Sequence, residues 1–317
     1  MILTYVQYEN TIETALEKLE QYIRENGLQG VALGVSGGLD SALMAYLTNE
    51  LAERLNRGGY SFRAEYWFLD IESKPSDFQK ARDLAQQLGV RLDYQNLNHL
   101  LKDWSSLIDA GSDHHGRVRQ GNIKARLRNI FLRDRAQALF GYMGETGNWS
   151  EHIVGFWTIG GDQGDLGVLG SLTKSEIHDL ARFSGRVSES ILRSKAGDGL
   201  GVTKKGHASD QLGDLTHLYR DYLISRFLKV GFDHLGSPDQ LLMPKYQSLA
   251  HVVAREISAT SEQVLFVMGK VAQTAFKRRL VLVRELMPSR IEIGLPIIGS
   301  QGFNNLYLAA IQKELVE

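Results

Sequence analysis

A chain of 317 residues, 43% hydrophobic and 23% charged, is long enough to bury a large core, and its formal charge of −1 gives no global pull toward nucleic acid or an anionic membrane. The lack of any cysteine excludes disulfides, thiolate zinc sites and a catalytic thiol, and with the thiol a cysteine glutaminase within this sequence. No apolar run approaches the roughly 18 residues of a spanning helix, and the acid-bearing N-terminus is unlike a signal or transit peptide, so the cytoplasm is the expected location.

Ile12, Ala15, Leu16, Leu19, Tyr22 and Ile23 recur at helical spacing and predict a helix that stops near Gly27. "GVALGV" then reads as a buried strand, followed by a helix over about 41–57 and a second apolar strand, "FRAEYWFL", at 62–69. "SKPSDFQKARDLAQQLGV" opens a helix at Pro75 and closes it at Gly89, and "RLDYQNL" supplies a third strand. This alternation predicts an α/β fold: a doubly wound parallel sheet with helices on both faces. Residues 120–142 read as one long basic helix, and "TKSEIHDLARFSG" as another with a capping box between Thr173 and Glu176. The small and polar stretch 194–214 has the composition of a mobile loop or lid. The remainder is helical in pattern, with "GSPDQLLMPKY" as an insertion or linker. We divide the chain into residues 1–226 and a helical C-terminal extension, 227–317, packed on the same domain.

The chemistry centres on "GVSGGLDSAL" at 34–43. A glycine-rich turn between a strand and a helix start presents backbone N–H groups and a positive dipole end to an anion. It lacks the lysine of a Walker loop. Backbone amides with the hydroxyls of Ser36 and Ser41 suit a pyrophosphate, and Asp40 a magnesium ion beside it; the alternative is a plain glycine turn.

S-G-G-x-D-S after the first strand resembles the loop of the N-type ATP pyrophosphatases, which cleave ATP to AMP and pyrophosphate. The blocks "GNIKARLRNIFL", "TGNWSE", "GFWTIGGDQGDLGVLGSLTKSEIHDLA", "SDQLGDL" and "TSEQVLFVMGKVAQTAFKRRL" are similar, in order, to the ammonia-dependent NAD synthetases. The resemblance implies that Ser36, Gly37, Gly38, Asp40, Ser41, Thr146 and Lys174 bind ATP. It implies that Asp40 and Glu151 hold Mg²⁺, and that Asp40, Glu151 and Lys174 form the catalytic set. Arg126 and Asp165 fall where the family binds its acid substrate, and Lys277, in the basic cluster nearby, is a further expected substrate contact. Read from the residues alone, the alternatives are that Glu151 is a solvated helix-start acid, Lys174 a surface member of its capping box, and Arg126 a solvated arginine.

The implied reaction has two steps: a carboxylate is adenylated by ATP, and ammonia then displaces AMP. The implied substrate is nicotinic acid adenine dinucleotide; a related amide ligase for a different acid, or a nucleotide-binding module without turnover, are the alternatives. The family forms homodimers, and a separate glutaminase could supply the ammonia; neither nucleic acid nor membrane is an expected partner. Two positions depart from the pattern: Ile159 replaces a lysine of F-T-K-x-G-D-G-G, and Phe276 replaces a histidine before the C-terminal Lys-Arg pair. The family's P-T-A-D stretch is replaced by "SKAGDG".

Overall fold

The computed structural model describes residues 2–108, 111–194, 197, 212–279, 284–285, 289–291 and 293–315. Most of the glycine-rich stretch 194–214, including "SKAGDG" after Ser194 apart from Gly197, lies outside these residues.

A first helix, α1 (Tyr5–Asn26), starts on a capping box between Thr4 and Gln7 and stops at Gly27 in the left-handed conformation. The sheet then follows the expected alternation: β1 (Gly30–Gly34), α2 (Leu39–Arg57), β2 (Arg63–Asp70), α3 (Pro75–Leu88), β3 (Leu92–Asn96). Next come α4 (Asn98–Leu107), which the sequence reading did not identify, α5 (His114–Ala138) and β4 (Tyr142–Met143). All pairings among these four strands are parallel, in the order β3-β2-β1-β4.

Side chains alternate across a strand, so each strand feeds two cores. Val31, Leu33, Tyr66 and Phe68 pack with Leu43, Leu47 and Leu51 of α2 and Leu84 of α3. On the opposite face Ala32, Leu69 and Met143 pack with Leu101 of α4 and with Leu127, Leu132 and Ala136 of α5. The sheet is doubly wound. Because β2 and β4 flank β1, the connections leave in opposite directions and open a crevice at the C-terminal strand ends, the place where such sheets bind ligands.

The long basic helix begins earlier and ends sooner than expected over 120–142. Asp113 caps its start by accepting the Gly116 N–H at 2.7 Å. Its end is set by Phe140, at φ 49°, and by Gly141, whose added Cβ would collide with the Gly30 carbonyl. Tyr142, expected in the helix, is thereby free to enter β4 beside Val31.

Helices α6 (Trp149–Val154), α7 (Lys174–Ser184) and α8 (Glu189–Leu192) follow, with β5 (Leu166–Gly167) paired to β6 (Arg284–Glu285) and bridged to Gly144. The C-terminal part is α9 (His217–Lys229), α10 (Pro244–Glu256), α11 (Ser261–Gln273), α12 (Ala275–Arg278) and α13 (Gln301–Glu314). "GSPDQLLMPKY" forms a short 3-10 turn, Pro238–Leu242, and the start of α10. Phe227, Tyr246, Met268, Phe303 and Tyr307 share a core with Ile153 and Val154 of α6, and the division at 226 falls inside the continuous α9.

Candidate active site

The crevice opens into a cleft of about 1980 Å³ bounded by the loop after β1, the segment after β4 and the start of α7. Ser36 leaves β1 and its Oγ lies 3.0 Å from that of Ser41, which donates to the Gly38 carbonyl at 3.0 Å. The turn needs Gly37, at φ 79°, because any Cβ there would strike the Asp77 carbonyl at the start of α3. Gly38 is the N-cap of α2 and offers no capping side chain, so α2 begins with its amide end toward the cleft and Asp40 in its first turn.

Lys174 reaches this point from the opposite wall. Its Nζ bonds to Asp40 Oδ2 and lies 3.5 Å from Glu151 Oε1, with only 8% of its side chain exposed against 16% for Asp40 and 31% for Glu151. Burial opposes the charge on Lys174, but Asp40 and Glu151 outweigh burial and hold its ammonium above the ordinary lysine range. Burial and then the neighbouring Asp40 push the Glu151 carboxyl up, against the pull of Lys174 and Asn148. Local rules bring these groups here. Thr173 caps α7 in a capping box with Glu176, which fixes Lys174 as the first helical residue. Asn148 caps α6 by accepting the Glu151 N–H at 2.9 Å, and its Nδ2 donates to Asp40 Oδ1 at 3.0 Å.

The structure thus gathers Ser36, Gly37, Gly38, Asp40, Ser41, Glu151 and Lys174, and Thr146 lines the same cleft. The expected acid-binding residues are placed differently. Arg126 is exposed on α5 and donates to the Ile159 carbonyl at 3.3 and 3.2 Å. Asp165 accepts the Met143 N–H at 2.9 Å and pairs with Arg133, which fastens the 160–165 loop along β4. Neither is a lining residue of the cleft. Lys277 lines it, yet its Nζ donates to the Gly155 carbonyl at 2.7 Å and to that of Trp157, whose ring lies 5.0 Å away. Of the two departures, Ile159 is half-buried and Phe276 is 56% exposed.

Three polar residues of the site escaped the sequence reading. Asn148 stands inside "TGNWSE" at the N-cap position of Glu151, a spacing that could have revealed it. Ser150 and Asp221 carried no comparable signal. Ser150 Oγ donates to Asp221 Oδ1 at 2.6 Å and accepts the Lys174 N–H at 2.9 Å.

The model of the NAD synthase family matches residues 11–221. An NH3-dependent NAD+ synthetase of Pyrococcus furiosus is 31% identical over 271 residues, covering 84% of this chain and 93% of the relative. One from Thermococcus kodakarensis is 28% identical over 278 residues, covering 87% and 96%. Among solved structures, NMN synthetase from Francisella tularensis superposes with a TM-score of 0.65 at 20% identity, covering 89% of this chain and 99% of that one. An NH3-dependent NAD synthetase from Campylobacter jejuni gives 0.62 at 21%, covering 88% and 99%. The likeness spans the phosphate loop, the Asn148–Glu151 cap and the Lys174 helix alike, and on that extent the chain belongs to the NAD synthase family.

Proposed function

We propose that this chain amidates the carboxylate of nicotinic acid adenine dinucleotide, using ATP and free ammonia. The observation that carries the reading is the Lys174 ammonium seated between Asp40 and Glu151 at the mouth of an S-G-G turn. In the first step a carboxylate oxygen attacks the α-phosphorus of ATP, and the bond to the β-phosphate oxygen breaks. Pyrophosphate leaves with the electron pair. In the second step the ammonia nitrogen attacks the acyl carbon, the bond to AMP breaks, and the nitrogen loses a proton to water.

The loop from Ser36 to Ser41 receives the phosphates through backbone amides and two hydroxyls. Lys174 offsets the negative charge that gathers on the leaving pyrophosphate, at a point already organised before substrate arrives. Asn148 holds Asp40 and the backbone of Glu151 together, so both walls keep their spacing. The donors also suit magnesium: two carboxylates around one ammonium sum to a charge of −1, and a hard cation prefers oxygen ligands. Among the described residues no cluster of three or more histidine or acidic side chains forms, so phosphate and water oxygens would complete the shell around Asp40 and Glu151. When bound, the ion supplies further neutralisation of phosphate charge.

Ammonia is the proposed nitrogen source because no cysteine is present to open glutamine. The homodimer and the cytoplasmic location of the resemblance are part of the same proposal, and light scattering and fractionation test them. A second acid is favoured by one observation: at the acid end Ile159 carries no charge and Lys277 donates to carbonyls of its own chain. The fold neighbour described as an NMN synthetase makes the mononucleotide acid the natural competitor. Acids are therefore competed for pyrophosphate release, with ATP and ammonia present. Formation of AMP and pyrophosphate with the dinucleotide supports the proposal. Formation of ADP and orthophosphate, or turnover on glutamine alone, would defeat it, and preference for the mononucleotide would move it to the second acid.

A further inference from the structure

Asp221 is fully buried on α9 and does not line the cleft, so it touches no substrate. Its carboxylate nevertheless stands two hydrogen bonds, through one hydroxyl, from the backbone of Lys174, which does line the cleft. A serine hydroxyl has a single proton to give. At Ser150 that proton goes to Asp221 Oδ1, at 2.6 Å, which turns a lone pair of Oγ toward the Lys174 N–H, at 2.9 Å. That N–H belongs to the first turn of α7, where no intrahelical partner exists. Ser150 is also the residue before Glu151. One hydroxyl, oriented by one buried carboxylate, therefore joins α6, α7 and α9 within a residue of both Glu151 and Lys174.

Apart from Ser175, whose hydroxyl lies 3.5 Å from Asp221 Oδ2, the remainder of the α7 start is held independently. Thr173 accepts the Glu176 N–H, and Glu176 is bonded to Arg290 at 2.5 and 3.0 Å. Helix α7 thus has its cap without Asp221, and the link through Ser150 is a separate tie between α7 and α9.

We propose that Asp221 is a positioning residue. Acting through Ser150, it sets the backbone of Lys174 so that the ammonium falls between Asp40 and Glu151. The inference rests on the adenylation reading of the site.

The test compares Asp221→Ala, Ser150→Ala and Asp221→Asn in the full chain. An asparagine oxygen still accepts the Ser150 proton, so Asp221→Asn should keep most of the activity. Both alanine variants should lose about tenfold or more in kcat for pyrophosphate release, with KM for ATP within about twofold of wild type. Acylation of Lys174 by an amine-reactive reagent, followed by peptide mass spectrometry, gives a second readout independent of turnover. Labelling should rise several-fold in the alanine variants, because a side chain no longer seated between two carboxylates is more accessible to the reagent. Normal kcat and unchanged labelling in the alanine variants, even with a lowered Tm, would overturn the proposal. So would an Asp221→Asn enzyme as impaired as Asp221→Ala. A wild-type chain that releases no pyrophosphate with any acid would refute the adenylation reading instead, while the labelling comparison would still decide where Asp221 places Lys174.

Discussion

At one end of the cleft Lys174 sits between two carboxylates, and Asn148 and Ser150 hold the backbone of both walls. Elsewhere in the cleft Lys277 donates to carbonyls of 155 and 157, and next to it, off the cleft lining, Arg126 donates to the carbonyl of 159 while Asp165 accepts from Arg133 and from the Met143 N–H of β4. The first group concentrates charge on the cleft lining; the second uses its charges to fasten loops. Preorganised charge is what phosphoryl chemistry demands, since its transition state is stabilised by fixed donors rather than by reorganising ones. Recognition of an acid can be met by several arrangements. Under the proposed function the first group is the activating end, with its charge already set in the cleft, and the second is the acid end, where charge is committed to the chain's own loops.

The largest expected effect lies at the activating end. Lys174→Met should cut kcat by roughly a hundredfold to a thousandfold, the range for loss of one preorganised charge donor. It also leaves Asp40 and Glu151 facing each other without a countercharge, so added Mg²⁺ should raise the Tm of this variant more than that of wild type. Near-normal turnover, measured as pyrophosphate release, would remove Lys174 from the chemistry and erase the comparison.

Stability against pH sharpens the same contrast. Burial foremost pushes the Asp221 carboxyl up to about 7, with Ser150 and Arg220 opposing and Glu176 adding to the rise. A carboxyl raised on folding adds stability while it is protonated and loses that stability as pH climbs from about 4, where the unfolded group titrates, through about 7. Asp221→Asn cannot ionise. Its Tm relative to wild type should therefore rise between pH 5 and pH 8, by a few kcal/mol at most in free energy. A gap that stays flat across this window would show that the buried site does not strain the charge.

The activating end was largely legible in the sequence because its determinants are local. S-G-G-x-D-S needs only a strand before it and a helix after it, and the Thr173–Glu176 capping box announces where Lys174 begins a helix. Asn148 obeys an equally local rule. Asp221 could not be read this way, since its role depends on Ser150, which lies 71 residues earlier and on a different helix. Asp165 shows the converse: motif position suggested a ligand contact, but Arg133 and the Met143 amide bind it in the fold. The sequence pattern puts the end of α5 too late because apolar residues run on through Leu139 and Phe140, while close packing of Gly141 against Gly30 turns the chain into β4.

Two substitutions at the acid end give the smaller effects. Ile159→Lys would restore a cation beside a half-buried position, and a charge-assisted bond is worth about 1.5–3 kcal/mol. If an anionic group of the dinucleotide reaches that loop, its KM should fall about tenfold or more, with kcat for pyrophosphate release little changed. Phe276→His should do far less. The Phe276 side chain is 56% exposed and is not a lining residue of the cleft, whereas Lys277 beside it is. A solvated imidazole at that place gains little from burial or from a fixed partner, so KM for the dinucleotide should stay within about twofold of wild type. Steady-state kinetics of the two single variants and the double variant decide the matter. A large gain from Phe276→His alone would mean that 276 meets the substrate directly, and the acid end would then be a patterned site like its opposite. Additivity of the two changes, with Ile159→Lys carrying nearly all the gain, would locate substrate choice in the 155–165 loop.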